Sequence, residues 1–103
     1  MPVNKRTPAY DLERVKEAVR RNRVRLTFTA RRSVFALGGM EEDVWAVMLD
    51  LDRKDFQKSM TSYHNHREWQ DVYRTRWKDL NVYLKFKIDE DGYLVLSFKE
   101  LES

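Results

Sequence analysis

The residues best equipped for chemistry lie in the second half of the chain, spaced two apart. Tyr83, Lys85 and Lys87 alternate with Val82, Leu84, Phe86 and Ile88, the pattern of a strand with one apolar and one polar face. Leu94, Leu96 and Phe98 alternate with Tyr93, Val95, Ser97 and Lys99, so burying the apolar set brings Lys99 to the polar side. In two earlier segments Lys58 shares a side with Met60 and Ser62, and Gln70 with Val72 and Arg74. Periodicity does not say which side of those two segments is open. A face presenting Lys58, Gln70, Arg74, Tyr83, Lys85 and Lys99 offers cations for phosphates, an amide and a phenol for hydrogen bonding, and aromatic area for bases to stack on. A polar sheet face bathed in water has the same pattern.

Other chemistries lack their residues. The chain has no cysteine, which excludes disulfides, cysteine nucleophiles and thiolate metal sites, and fits a reducing cytoplasm. A two-metal nuclease needs a carboxylate cluster. The acidic residues fall mainly in a helix start and a turn, where capping and solubility explain them. His64 and His66 have no third ligand at an obvious spacing and read as surface loop residues, so no metal or other cofactor is expected. Ser33, Ser59, Ser62 and Ser97 lack a nucleophile-elbow context. With three glycines, no glycine-rich phosphate loop exists.

The positioning elements follow from length and pattern. A chain of 103 residues fits one domain, spanning 1–103, with a modest core. Met1 to Thr7 is polar and no long apolar run follows, so a soluble, non-exported, cytoplasmic protein is expected, with no membrane partner. The formal net charge is +3 and the pI about 9.3. Basic residues crowd between Asp11 and Arg32, acidic ones between Glu41 and Asp55, and basic ones return from Lys58 onward. Such a field suits a polyanion on one face. A solvated charged surface accounts for it equally well.

Thr7-Pro8 reads as a helix start, predicting a first helix over 8–22 with Leu12, Val15 and Val19 inward. Val24, Leu26 and Phe28 read as a strand. Ala30 to Leu37 reads as a short helix stopped by Gly38-Gly39. Glu41, Glu42 and Asp43 open another, with Val44, Trp45, Val47, Met48 and Leu51 as its apolar stripe. Strands follow at Phe56 to Tyr63, Trp69 to Trp77, Val82 to Ile88 and Leu94 to Lys99, the last pair joined by a hairpin turn at Asp89-Glu90-Asp91-Gly92. Consecutive strands with short links predict an antiparallel sheet, with helices packed on one face, in an α+β domain.

The strings Lys58-Ser59-Met60-Thr61-Ser62-Tyr63, Trp69-Gln70-Asp71-Val72-Tyr73-Arg74, Val82-Tyr83-Leu84-Lys85 and Val95-Leu96-Ser97-Phe98-Lys99-Glu100 closely resemble the MqsR family of type II toxin–antitoxin toxins. Lys5-Arg6-Thr7-Pro8 and Leu12 to Val19 match too, so the resemblance covers nearly the whole chain. It departs at Thr75, where a proline is expected after the arginine, and over Trp77 to Leu80.

The resemblance implies a compact RelE-like fold with a curved antiparallel sheet. It also implies an endoribonuclease, an mRNA interferase that cleaves at GC-starting triplets and arrests translation. The implied partners are messenger RNA and a neutralising antitoxin protein, with no small-molecule cofactor. The residues tied to cleavage match Lys58, Gln70 and Tyr83. Met60, Arg74, Lys85 and Lys99 match RNA-binding positions nearer the edge of the site. The implied route is attack by the RNA's own 2′-hydroxyl, which needs no metal. From the residues alone, a non-catalytic RNA-binding module on the same face, or a protein-interaction domain with an exposed sheet edge, stays open.

Overall fold

The computed structural model describes residues 3–62, 65 and 67–101. Its elements are β1 (Asn4–Lys5), α1 (Leu12–Arg20), β2 (Val24–Leu26), α2 (Phe28–Ala36), α3 (Glu41–Asp50), a single 3-10 turn (Arg53–Asp55), β3 (Phe56–Thr61), β4 (Trp69–Trp77), β5 (Leu80–Ile88) and β6 (Leu94–Glu100). The sheet order is β1-β3-β4-β5-β6-β2. Strands β3 to β6 run antiparallel in sequence order, as the alternating pattern predicts. Two strands complete the edges. β1, too short for any periodicity, pairs antiparallel with β3, and β2 lies parallel to β6. The result is an open, mixed six-stranded sheet in an α+β fold.

Local chemistry sets the helix boundaries. α1 begins at Leu12 and not at Pro8. The Asp71 carboxylate accepts the backbone N–H groups of Ala9 and Tyr10 at 2.9 and 3.0 Å, which holds that stretch outside the helix. Asp11 is then the N-cap, its side chain accepting from the Glu13 N–H. The helix stops at Arg20, followed by Asn22 at φ 59°, a conformation asparagine tolerates. β2 ends at Leu26 because Thr27 caps α2, its Oγ1 accepting from the Ala30 N–H at 3.1 Å. Phe28 is therefore helical and exposed, not a strand residue. Gly38, at φ 80°, ends α2 as the sequence predicts. Asp43 Oδ2 accepts from the Met40 N–H at 2.7 Å at the head of α3.

The predicted stripes fill one core. Val15 and Val19 of α1, Ala30 and Val34 of α2, and Val44, Val47 and Met48 of α3 meet Val82, Leu84, Phe86, Leu94, Leu96 and Phe98 of the sheet. Tyr73 lies within it, stacked on Phe86 and edge-on to Phe56, both at 5.4 Å between centroids. Gly92, at φ 82°, closes the β5–β6 turn as expected. The β4–β5 turn uses Lys78 and Asp79, both at positive φ, as a tight two-residue link. Thr75 pairs with Val82, so β4 runs unbroken through the position where a proline would interrupt the ladder.

Candidate active site

The register gathers every predicted site residue on the sheet face opposite the core. Residues directly opposite each other on paired strands share a face. Lys58 stands opposite Val72, Val72 opposite Lys85, and Lys85 opposite Ser97. One step along, Arg74 stands opposite Tyr83, and Tyr83 opposite Lys99. One step the other way, Met60 stands opposite Gln70. Lys58, Met60, Gln70, Arg74, Tyr83, Lys85 and Lys99 thus form three adjoining rows on one surface.

A bulge on β3 makes this possible. Phe56 pairs with Tyr73 while Lys58 pairs with Val72, so Gln57 is an extra residue on β3. Strict alternation would give Phe56 and Lys58 the same face. The bulge lets Phe56 pack on Tyr73 in the core while Lys58, exposed, faces the open side.

Val72 is the floor of the site. It lies on the open face yet is only 1% exposed. Lys58 and Lys85 flank it laterally, and Gln70 and Arg74 precede and follow it on β4. Long side chains with apolar stems cover such a floor while keeping their charged ends in water. Among the described residues, none of Lys58, Arg74, Lys85 and Lys99 forms an ion pair. Lys87, on the same face, is neutralised by Glu68 at 2.8 Å. The four unneutralised ends form a compact cationic field suited to a phosphate backbone.

Tyr83 is half-buried within that field, with Lys99 Nζ 5.2 Å from its ring centroid. Desolvation pushes its phenol above the ordinary tyrosine value. At neutral pH it is a proton donor, not a phenolate. Beside it lies a cleft of about 350 Å³ lined by Tyr83, Lys85, Ser97, Lys99 and, at the head of α2, its cap Thr27 and Thr29. Ser97 Oγ and Thr27 Oγ1 are 3.4 Å apart there. Ser97 follows from its spacing to Lys99, but the threonines come from a helix whose approach to the sheet no local pattern reveals. A larger cleft, of about 560 Å³, lies beyond Arg74, where Asp50, Asp52 and Asp55 offset Lys54, Arg74 and Arg76, so it presents no net positive charge to a polyanion. Among the described residues no cluster of three metal-ligating side chains forms. His64 and His66 fall outside the described residues.

Comparison with known proteins gives two agreeing results. The family model described as "Motility quorum-sensing regulator, toxin of MqsA" matches residues 7–100. A curated relative, the mRNA interferase toxin MqsR of Escherichia coli (strain K12), is 42% identical over 98 residues, covering 95% of this chain and 99% of the relative. The match spans β3 to β6 and the open face they build, and it shows that the chain belongs to the MqsR toxin family.

Proposed function

We propose that this protein is a toxin whose open sheet face cleaves messenger RNA as an endoribonuclease, neutralised in its complex with a partner antitoxin. The observation that carries the chemistry is the half-buried phenol of Tyr83, set among unneutralised cations on a surface floored by Val72. Family membership and the relative named an mRNA interferase support the substrate class.

In this scheme the 2′-oxygen attacks the adjacent phosphorus and its proton passes to solvent. The bond from phosphorus to the 5′-oxygen breaks, leaving a cyclic phosphate and a free 5′-hydroxyl. Tyr83 delivers the proton to the departing 5′-oxygen: a phenol is protonated at neutral pH, and burial raises its value further. Lys58, Lys85 and Arg74 surround the floor and stabilise the charge that builds on the phosphoryl oxygens. Gln70 and Met60 share the row furthest from Tyr83. They contact a neighbouring base, the amide reading its edge and the thioether packing on its face. GC-starting triplets are the expected targets.

The test is incubation of purified protein with total RNA in EDTA, with the ends mapped. Cyclic phosphate and 5′-hydroxyl ends at a recurrent triplet are expected, as is resistance of a substrate bearing a 2′-deoxy scissile nucleotide. Binding without cleavage would replace this scheme with a non-catalytic RNA-binding module.

A further inference from the structure

The two most exposed large apolar side chains among the described residues are Phe28 at 75% and Phe35 at 83%, both on α2. Seven residues apart, they lie on nearly the same side of the helix, about 10 Å from each other along its axis. Arg32 lies between them, one turn beyond Phe28, with its guanidinium 5.9 Å from the Phe28 ring. The core side of α2 is fully used by Ala30 and Val34. Packing within the described chain therefore does not account for the outward stripe.

We infer that Phe28, Arg32 and Phe35 form a track for the single-stranded RNA that flanks the cleaved bond. This rests on the reading of the sheet face as the cleavage site and extends the substrate's path beyond it. The head of α2 borders the site, because Thr27, Thr29 and Ala30 line the cleft with Tyr83, Lys85 and Lys99, and the stripe starts at that end and runs along the outward side of the helix. Charge complementarity supports the track as well. α2 carries Arg31 and Arg32 and no acidic residue. Arg31 is paired with Glu41 at 3.1 Å, and Arg32 is directed over the ring. Two separate aromatic faces about 10 Å apart, with a cation between them, match two non-adjacent bases of one strand and the phosphates that link them.

The experiment compares binding of a tetranucleotide and a dodecanucleotide by fluorescence anisotropy. Both probes contain the cleavage triplet with a 2′-deoxy scissile nucleotide, so the result does not depend on catalysis. The parent gains affinity on lengthening. In Phe28→Ala/Phe35→Ala that gain falls by about tenfold or more, as expected for lost base–aromatic stacking. Phe28→Trp/Phe35→Trp restores it, which a merely structural role would not. Arg32→Gln reduces the salt slope for the longer probe by about 0.7. A double alanine variant that gains as much as the parent overturns the track. So does one that keeps parental RNA affinity while losing only the neutralising protein, which makes the stripe a protein surface. A parent that binds the long probe through this stripe but cuts no RNA overturns the cleavage reading and leaves the track standing.

Discussion

Tyr73 and Tyr83 sit on neighbouring strands, and burial raises the phenol of each, yet they point to opposite sides of the sheet. Removing the Tyr83 hydroxyl takes the proton donor from the reaction. Tyr83→Phe is expected to lower single-turnover cleavage by about 100-fold, the scale of general acid catalysis, with little change in RNA affinity. The acid must be protonated to act, and burial raises its value. Parental cleavage through Tyr83 should therefore persist past the pH at which an ordinary tyrosine ionises, about 10, before it falls. A rate that climbs between pH 7 and 9 in the parent but not in Tyr83→Phe would make Tyr83 a base instead. Tyr73 is fully buried in the core, and its hydroxyl has no hydrogen-bond partner among the described residues. Tyr73→Phe should leave cleavage intact and raise unfolding free energy by about 1 kcal/mol, since it removes an unpaired buried hydroxyl and no hydrogen bond is lost. It should also alter the alkaline limb of stability. Burial pushes the Tyr73 phenol from 10.0 to about 12, so the unfolded chain ionises first. The stabilisation from keeping this phenol neutral is complete below about pH 10 and is lost as pH rises toward 12. Urea titrations of parent and Tyr73→Phe across that window should differ by this component.

Between elements, one close approach joins the turn after α2 to the β4–β5 hairpin. A Cβ on Gly39 would lie 2.6 Å from Cη2 of Trp77, and Trp77 packs edge-on to Phe98 at 5.9 Å. Gly39→Ala must displace the indole, and overpacking of this kind costs about 1–3 kcal/mol. A lowered urea midpoint with an unchanged m-value is the expected result. This contact joins residues distant in sequence, and such contacts separate what the sequence reveals from what it hides. Strands β5 and β6 were legible because each buries one face, so Val82, Leu84, Phe86, Leu94, Leu96 and Phe98 record the alternation. That placed Tyr83, Lys85 and Lys99 on the open side. The bulge at Gln57 left no periodic trace, and without it Lys58 and Phe56 could not be assigned opposite faces. Only the resemblance to a toxin family named Lys58. The start of α1 was misread because Thr7-Pro8 is a sound local cap signal, overridden by the Asp71 carboxylate from across the sheet. Thr27 ended β2 early for a similar reason, as its capping bond outweighed the alternation that reached Phe28.

Across the whole molecule, charge is distributed by side more than by total. The net excess is +3, yet the open face concentrates Lys58, Arg74, Lys85 and Lys99 without ion-pair partners among the described residues. On α1, by contrast, Arg20 lies between Glu13 and Glu17 at 3.6 and 3.2 Å, and Arg21 pairs with Glu17 at 2.9 Å. Arginine there adds to the pI without offering a free cation to a polyanion. If RNA lies on the open face, its binding should release about one counterion per phosphate contacted. Four contacts to a single strand give a slope of log affinity against log salt of about −3. Lys99→Gln should lower that slope by about 0.7 and weaken all RNA sequences alike, because a phosphate contact carries no base information. Arg20→Gln removes the same unit of charge from the molecule and should leave the slope unchanged. Equal effects from the two substitutions would mean that RNA responds to net charge and not to this face, and the proposed placement of the substrate would fall with it.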